Sequence, residues 1–148
     1  MISPKPISVL SFDLGSKRIG LAGCDPLGIC VTPLKPLFRS TFEIEIDYLR
    51  DLCKIRKVQG LIFGLPLDEN GLSTSQSNFC QKYGQRIATE LNLPLAWVNE
   101  HSSSWVASQD YNLKNDRTGR IDSKVAVLLL EQWLREGPEV SSFSQDYQ

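Results

Sequence analysis

Apolar residues recur along the chain with two different periods, which separate predicted strands from predicted helices. Short apolar runs that end at glycine or proline predict strands, and apolar residues three or four positions apart predict helices. The predicted strands cover residues 7–14, 19–24, 31–38, 60–64 and 94–98. Because proline has no backbone N–H to donate, Pro33 and Pro36 restrict the third strand to an edge of the sheet.

The predicted helices lie between and after the later strands. They cover residues 40–57, 79–91, 102–110 and 121–135. The first begins with a capping-box pattern, in which Ser40 and Glu43 would each satisfy the backbone N–H of the other. Three strands followed by strand–helix crossovers predict an α/β fold, with a five-stranded mixed sheet flanked by helices.

Length and composition are those of one globular domain. The 148 residues are 41% hydrophobic and 22% charged, and 16 Lys and Arg against 17 Asp and Glu leave a net charge of −1. We expect a single domain over residues 1–138 and a loose C-terminal tail over residues 139–148. The near-neutral charge excludes a binder that relies on bulk positive charge, but it permits a local basic surface.

Hydropathy and cysteine spacing indicate the compartment. No apolar run approaches the ~20 residues that a membrane-spanning helix needs, and the proline-containing N terminus does not resemble a signal peptide. We therefore expect a cytoplasmic protein without membrane association. The cysteines at positions 24, 30, 53 and 80 form no C-x-x-C pair and predict buried free thiols. Because His101 is the single histidine, a His-rich metal site is excluded.

Three acidic residues stand where strands end or a helix begins. Asp13 ends the first strand, Glu100 follows the last strand, and Asp122 lies in the first turn of the last helix. Taken singly, Asp13 and Glu100 could equally be caps of a turn or helix, and a first-turn aspartate such as Asp122 is common without any function because it complements the helix dipole. Taken together, they can converge at the edge of the sheet where the carboxyl ends of parallel strands meet. Converging carboxylates repel one another unless cations lie between them, and Mg²⁺ and Mn²⁺ are cations that take oxygen ligands. Two such ions would indicate an enzyme that catalyses phosphoryl displacement.

A basic stretch leads into the last helix. Its cations are Lys114, Arg117, Arg120 and Lys124. This concentration of positive charge predicts contact with the phosphate backbone of a nucleic acid, and a solvated charged loop is the alternative.

Four segments together resemble the motifs of the YqgF/RuvX family. In chain order they are Asp13 to Gly20, Gly64 to Leu67, Asn99 to Ser104, and the helix that contains Asp122. The resemblance runs from about residue 7 to about residue 134. It implies a ribonuclease H-like fold related to that of Holliday-junction resolvases.

The resemblance also implies an activity and the residues that carry it. The implied enzyme is a metal-dependent endonuclease that matures the 5′ end of pre-16S rRNA in ribosome biogenesis. Asp13, Glu100 and Asp122 match the acidic positions proposed to bind the metal, Mg²⁺ or Mn²⁺, in a two-metal site. Lys17 and Arg18 match the basic loop after the first acid and could hold a phosphate, although two such residues in a hairpin are as often simply solvated. Ser103 and Ser104 lie in the motif after Glu100 and are further candidates for substrate binding.

The expected partner is a nucleic acid, either an rRNA precursor or branched DNA, with the ribosome or a pre-ribosome as a second partner. The segment around Glu100 departs from the family pattern at Asn99, His101 and Ser102. Two alternatives therefore stay open. One is a Holliday-junction resolvase-like DNA endonuclease, which would need two active sites and hence a homodimer rather than a monomer. The other is an RNA- or ribosome-binding module without catalysis.

Overall fold

A computed structural model describes residues 6–67, 70–99 and 120–141, and for residues 120–122 it describes the backbone alone. Its elements are β1 (Val9–Leu14), β2 (Arg18–Cys24), β3 (Val31–Phe38), α1 (Phe42–Arg56), β4 (Gly60–Leu65), α2 (Ser75–Leu91), β5 (Leu95–Asn99) and α3 (Arg120–Glu136). The five predicted strands are confirmed. The helix predicted over residues 102–110 lies outside the described residues. Within the described ranges, no helix is both long and apolar enough to cross a lipid bilayer.

The strands form one mixed sheet in the order β3-β2-β1-β4-β5. β2 pairs antiparallel with both β1 and β3, whereas β4 runs parallel to β1 and β5 parallel to β4. β3 lies at the edge, as its prolines predict, with Pro33 paired to Ala22. The predicted five-stranded mixed sheet flanked by helices is therefore confirmed.

Alternation along β1 sends its side chains to two different cores. Leu10, Phe12 and Leu14 pack in the core on the side of α1 and α2. Val9 packs against α3 on the opposite side, in a core whose largest member is the fully buried Trp133. Because strand side chains alternate with a period of two, Asp13 lies on the α3 side, with Val9.

The first turn of α1 differs from the predicted capping box. The N-cap is Thr41, one residue later than expected, and its hydroxyl accepts the Ile44 N–H at 3.3 Å. The third helical residue is then Ile44, which has no side-chain acceptor to close a box, so the predicted pairing of Ser40 with Glu43 is wrong. The Ser40 N–H instead donates to the Glu45 carboxylate at 2.8 Å.

A capping box does occur at the start of α2. Thr74 is the N-cap, and its hydroxyl and that of Ser77 each accept the backbone N–H of the other residue, at 3.0 and 2.7 Å. α2 consequently begins at Ser75, four residues before the predicted start at Phe79. The apolar repeat missed this first turn because its buried position, Ser77, is polar.

All four cysteines are free thiols, as expected. Cys24 and Cys80 are buried, but Cys30 is exposed and Cys53 half-buried, so the expected burial is wrong for Cys30. Burial raises the pKa of the Cys53 thiol to about 11. Cys53 is therefore protonated at neutral pH.

The chain after α3 returns to the sheet. Leu95 and Ser141 exchange two backbone hydrogen bonds, of 3.0 and 2.9 Å, beside the outer strand β5. Val140 packs against the core under α3. The attached part of the chain thus extends to Ser141, and a loose tail stays a prediction for residues 142–148, which lie outside the described residues.

Close packing of α2 on the sheet makes Gly84 intolerant of a side chain. A methyl group at Gly84 would lie 2.7 Å from the Trp97 ring and 3.3 Å from the fully buried Phe63 ring. We expect Gly84→Val to lower the free energy of unfolding by about 3 kcal/mol, measured by urea denaturation. Lys82→Val, at an exposed position of the same helix, controls for helix propensity and should cost about 0.5 kcal/mol. Equal losses in both variants would refute the packing argument.

Candidate active site

Three parallel strands end together at one edge of the sheet. Leu65 pairs with Asn99, and Phe12 pairs with Phe63, so the ends of β1, β4 and β5 are level. We call this edge the carboxyl edge. Glu100 directly follows Asn99 in sequence, and its own placement lies outside the described residues.

Asp13 lies at the carboxyl edge between two glycines. On β2 it pairs with Gly20. On β4 its neighbour is Gly64, which follows Phe63, the partner of Phe12. The Asp13 side chain is half-buried. Because both cross-strand neighbours are glycines, the strands on both sides of this carboxylate leave room for a ligand.

The start of α3 lies at the same edge. The Ser11 hydroxyl donates to the Ala126 carbonyl at 2.7 Å, which joins the middle of β1 to α3. From this bond, Asp13 is about 7 Å further along the strand and position 122 is about 6 Å back along the helix.

The direction of α3 follows from contacts near its two ends. The Ser123 hydroxyl donates to the Leu34 carbonyl at 2.6 Å, and Leu34 is level with Phe12, near the end of β1. A methyl group placed on Gly28 would lie 3.3 Å from Leu134, near the other end of α3, and 3.2 Å from Pro6. Pro6 precedes β1 in the chain, so this end of α3 lies near the start of β1. The helix therefore starts near the end of β1, and the backbone of Asp122 lies on the side of Asp13.

The predicted basic residues fall into two groups. Lys17 is exposed in the turn after β1, and Arg18 begins β2 with its guanidinium carbon 5.8 Å from the centre of the Phe38 ring. Lys124 is exposed on α3 and lines a groove of about 860 Å³ between α3 and β3. The remaining predicted substrate-binding side chains lie outside the described ones; they are those of Ser103, Ser104, Lys114, Arg117 and Arg120.

An ion pair between the half-buried Arg39 and the buried Glu45, which the sequence did not reveal, holds the loop after Asp13. Arg39 donates from Nε to the Glu45 carboxylate and from a terminal nitrogen to the Gly15 carbonyl, both at 2.9 Å. Its backbone N–H donates to the Lys17 carbonyl, also at 2.9 Å. These bonds fix the turn that joins Asp13 to the basic residues. The one signal in the sequence was an acid on the inward face of α1, six positions after an arginine.

The Glu45 carboxylate is ionised in spite of its burial. Its side chain is 1% exposed, and burial alone would raise its pKa. Hydrogen bonds from the Tyr83 hydroxyl and the Ser40 N–H, together with Arg39, outweigh burial and lower the pKa below its ordinary value. Burial and the hydrogen bond to Glu45 raise the pKa of Tyr83, which therefore stays a hydrogen-bond donor. At neutral pH the Glu45 carboxylate is thus ionised and accepts hydrogen bonds from Arg39, Ser40 and Tyr83.

Comparison with a solved structure defines the class of fold. The chain is similar to "T. thermophilus RuvC in complex with Holliday junction substrate", with a TM-score of 0.56 and 11% sequence identity. The likeness covers 84% of this chain and 91% of that chain. Together with the mixed sheet and the acid at the end of β1, it places the protein in the ribonuclease H-like α/β class.

Comparison of sequences then defines the family. Residues 7–136 match the family model described as "RuvX: Holliday junction resolvase", and the chain belongs to this family. A "Putative pre-16S rRNA nuclease" of Prochlorococcus marinus (strain SARG) is 65% identical, over 98% of this chain and 95% of that protein. A relative of the same name from Parasynechococcus marenigrum is 60% identical, over 93% and 87%. The family resemblance and the expectation of a hydrolytic nuclease are confirmed.

Proposed function

We propose that this protein cleaves the precursor of 16S rRNA near its 5′ end during ribosome biogenesis, in the cytoplasm. The names of relatives that match over almost the whole chain support this substrate. The observation that carries the proposal is the position of Asp13, at the carboxyl edge between Gly20 and Gly64. A carboxylate at the end of a central strand, with glycines as its cross-strand neighbours, can approach a phosphate and the cations that accompany it.

Asp13, Glu100 and Asp122 are the residues that would hold Mg²⁺ or Mn²⁺ in this proposal. Carboxylate oxygens are the ligands that these hard cations prefer, and Asp13 supplies them at an accessible edge. When bound, two such cations stabilise the attacking and leaving oxygens of a phosphodiester displacement. The Ser11–Ala126 bond supports the contribution of Asp122, because it anchors α3 one turn from position 122.

The basic residues around this edge would bind the phosphate backbone. Lys17 and Arg18 lie on the turn that Arg39 holds, and Lys124 lies on the first turns of α3. Ser103, Ser104, Lys114, Arg117 and Arg120 complete the proposed substrate-binding set. Phosphate contacts of this kind position a nucleic acid without reading its sequence.

Removing positive charge from this surface should weaken the dependence of RNA affinity on salt concentration. We expect the double variant Lys17→Ala, Lys124→Ala to reduce the slope of log affinity against log salt by about 1.4 for single-stranded RNA, about 0.7 for each lost contact. Fluorescence anisotropy across a salt series measures this slope. Lys54→Ala removes an exposed cation from α1 and should leave the slope unchanged. A slope unaltered in the double variant would remove both lysines from the binding surface.

A cleavage assay tests the proposed function and its alternatives. The protein is incubated with Mn²⁺ and either a labelled 5′ precursor segment of 16S rRNA or a four-way DNA junction. Cleavage of the RNA alone supports the proposal. Cleavage of the junction alone would support a resolvase, which the description of the matched family favours, and sedimentation should then show a homodimer. Tight binding in chelator, without cleavage when Mg²⁺ or Mn²⁺ is supplied, would indicate a binding module.

A further inference from the structure

We propose that Phe38 and Arg18 form a nucleobase-stacking site that takes an unpaired base of the nucleic-acid substrate next to Asp13. We call this pair the stacking platform. The inference rests on the proposed function, because it assigns the platform to the substrate of that same site.

The platform lies on the same face of the sheet as Asp13. Phe38 pairs with Arg18 across β2 and β3, and Gly20, two residues after Arg18, pairs with Asp13. Ala22, two residues further along β2, packs in the core under α3, so alternation places Gly20 and Arg18 on that side as well. From strand spacings, Phe38 and Asp13 are about 12 Å apart. A base adjacent to the scissile phosphate can therefore reach the platform.

Among the described residues, Phe38 belongs to neither of the two buried cores. Its side chain is 57% exposed at the end of the edge strand, and the Arg18 guanidinium lies over its ring. Aromatic rings and guanidinium planes are the groups on which unpaired bases stack. The cation beside the ring also attracts the phosphate that carries the stacked base. The pair thus combines the two interactions that single-stranded nucleic acid needs.

The backbone that carries the platform is held by hydrogen bonds before any ligand binds. Arg39, the residue after Phe38, donates hydrogen bonds to the carbonyls of Gly15 and Lys17 on either side of the turn before Arg18. Glu45 fixes the Arg39 guanidinium in turn. Little backbone entropy is therefore lost when a base stacks on the platform.

Binding to defined oligonucleotides tests the platform. Anisotropy is measured in chelator, so that no cleavage occurs, with a labelled adenine ribonucleotide strand of about 12 residues, the same strand with abasic sites, and a paired duplex. We expect Phe38→Ala to weaken binding of the single strand about tenfold, and Phe38→Trp to retain it. The loss should be absent with the abasic strand and small with the duplex.

Phe79 supplies a matched control. Its side chain is 54% exposed, against 57% for Phe38. Phe79 lies on α2, however, and stacks on Tyr83 on the other side of the sheet. Phe79→Ala should leave binding of the single strand unchanged. Unfolding midpoints of both variants verify that the fold is retained.

Different results would overturn the platform and the proposed function. Wild-type affinity in Phe38→Ala, or equal losses with the single, abasic and paired strands, would refute the stacking platform while leaving the nuclease proposal intact. A wild-type protein that binds none of these strands and cleaves no RNA would instead refute the proposed function.

Discussion

Replacing Asp13 by Asn is expected to lower the rate of RNA cleavage more than about 100-fold while the protein stays folded. Residues that only support metal ligands already contribute about 10–100-fold, so the loss of a proposed ligand should exceed that range. The amide has nearly the shape of the carboxylate but no negative charge. Single-turnover cleavage of the labelled RNA with Mn²⁺ measures the rate, and calorimetric titration with Mn²⁺ measures metal binding.

Asp51 provides the control for this substitution. It is exposed on α1, on the opposite side of the sheet from Asp13, so Asp51→Asn should cleave at the wild-type rate. Cleavage by Asp13→Asn at the wild-type rate would remove Asp13 from the active site. A loss of cleavage accompanied by unfolding would likewise contradict the prediction, since the expected effect is chemical.

Replacing Arg39 by Met should lower the free energy of unfolding by about 3 kcal/mol. The substitution leaves the Glu45 carboxylate, 1% exposed, without its cation, and breaking a buried pair in this way is costly. Glu45→Gln should cost less, because the Arg39 side chain is 21% exposed and can turn toward water. Urea denaturation measures both differences.

A surface ion pair gives the matched control for Arg39. Arg50 and Asp47 lie 3.2 Å apart on α1, with side chains 40% and 76% exposed. Arg50→Met should therefore cost no more than about 0.5 kcal/mol. If the two arginine variants lose equal stability, burial is not what makes the Arg39–Glu45 pair important.

The same network predicts a loss of stability in acid. The folded state lowers the pKa of Glu45 below its ordinary value of 4.5, so near this pH the unfolded chain binds more protons than the folded one. The contribution of Glu45 to stability is therefore full above about pH 4.5 and is lost as the pH falls through the lower, folded value. The Glu45→Gln variant should show a flatter decline over this range, and an identical pH profile would contradict the assignment.

The local patterns of the sequence were sufficient to predict the five strands, and they made Asp13 a candidate site residue. Periodicity located the five strands, prolines placed β3 at the edge, and a buried strand ending in an aspartate and a glycine indicated a site at Asp13. The start of α1 was misplaced by one residue, because Ser40 and Thr41 are both good N-caps. Sequence cannot show that Glu45 turns inward to accept the Ser40 N–H, and this contact decides between them.

The residues around Asp13 were decided by tertiary structure alone. Gly20 and Gly64 lie beside it because of strand register, which depends on pairing between segments distant in sequence. The Ser11–Ala126 bond, across 115 positions, places the start of α3 at the same edge.

The sequence by itself determined the family and the order of the described strands and helices, because these depend on local spacing and on motifs. The tertiary structure decided two further features: the hydrogen bonds by which Arg39 holds the loop after Asp13, and the exposure of Phe38 on the face of the sheet that carries Asp13. Both follow from which side of the sheet each residue occupies and from how α1 packs against it, and no single segment of sequence contains that information.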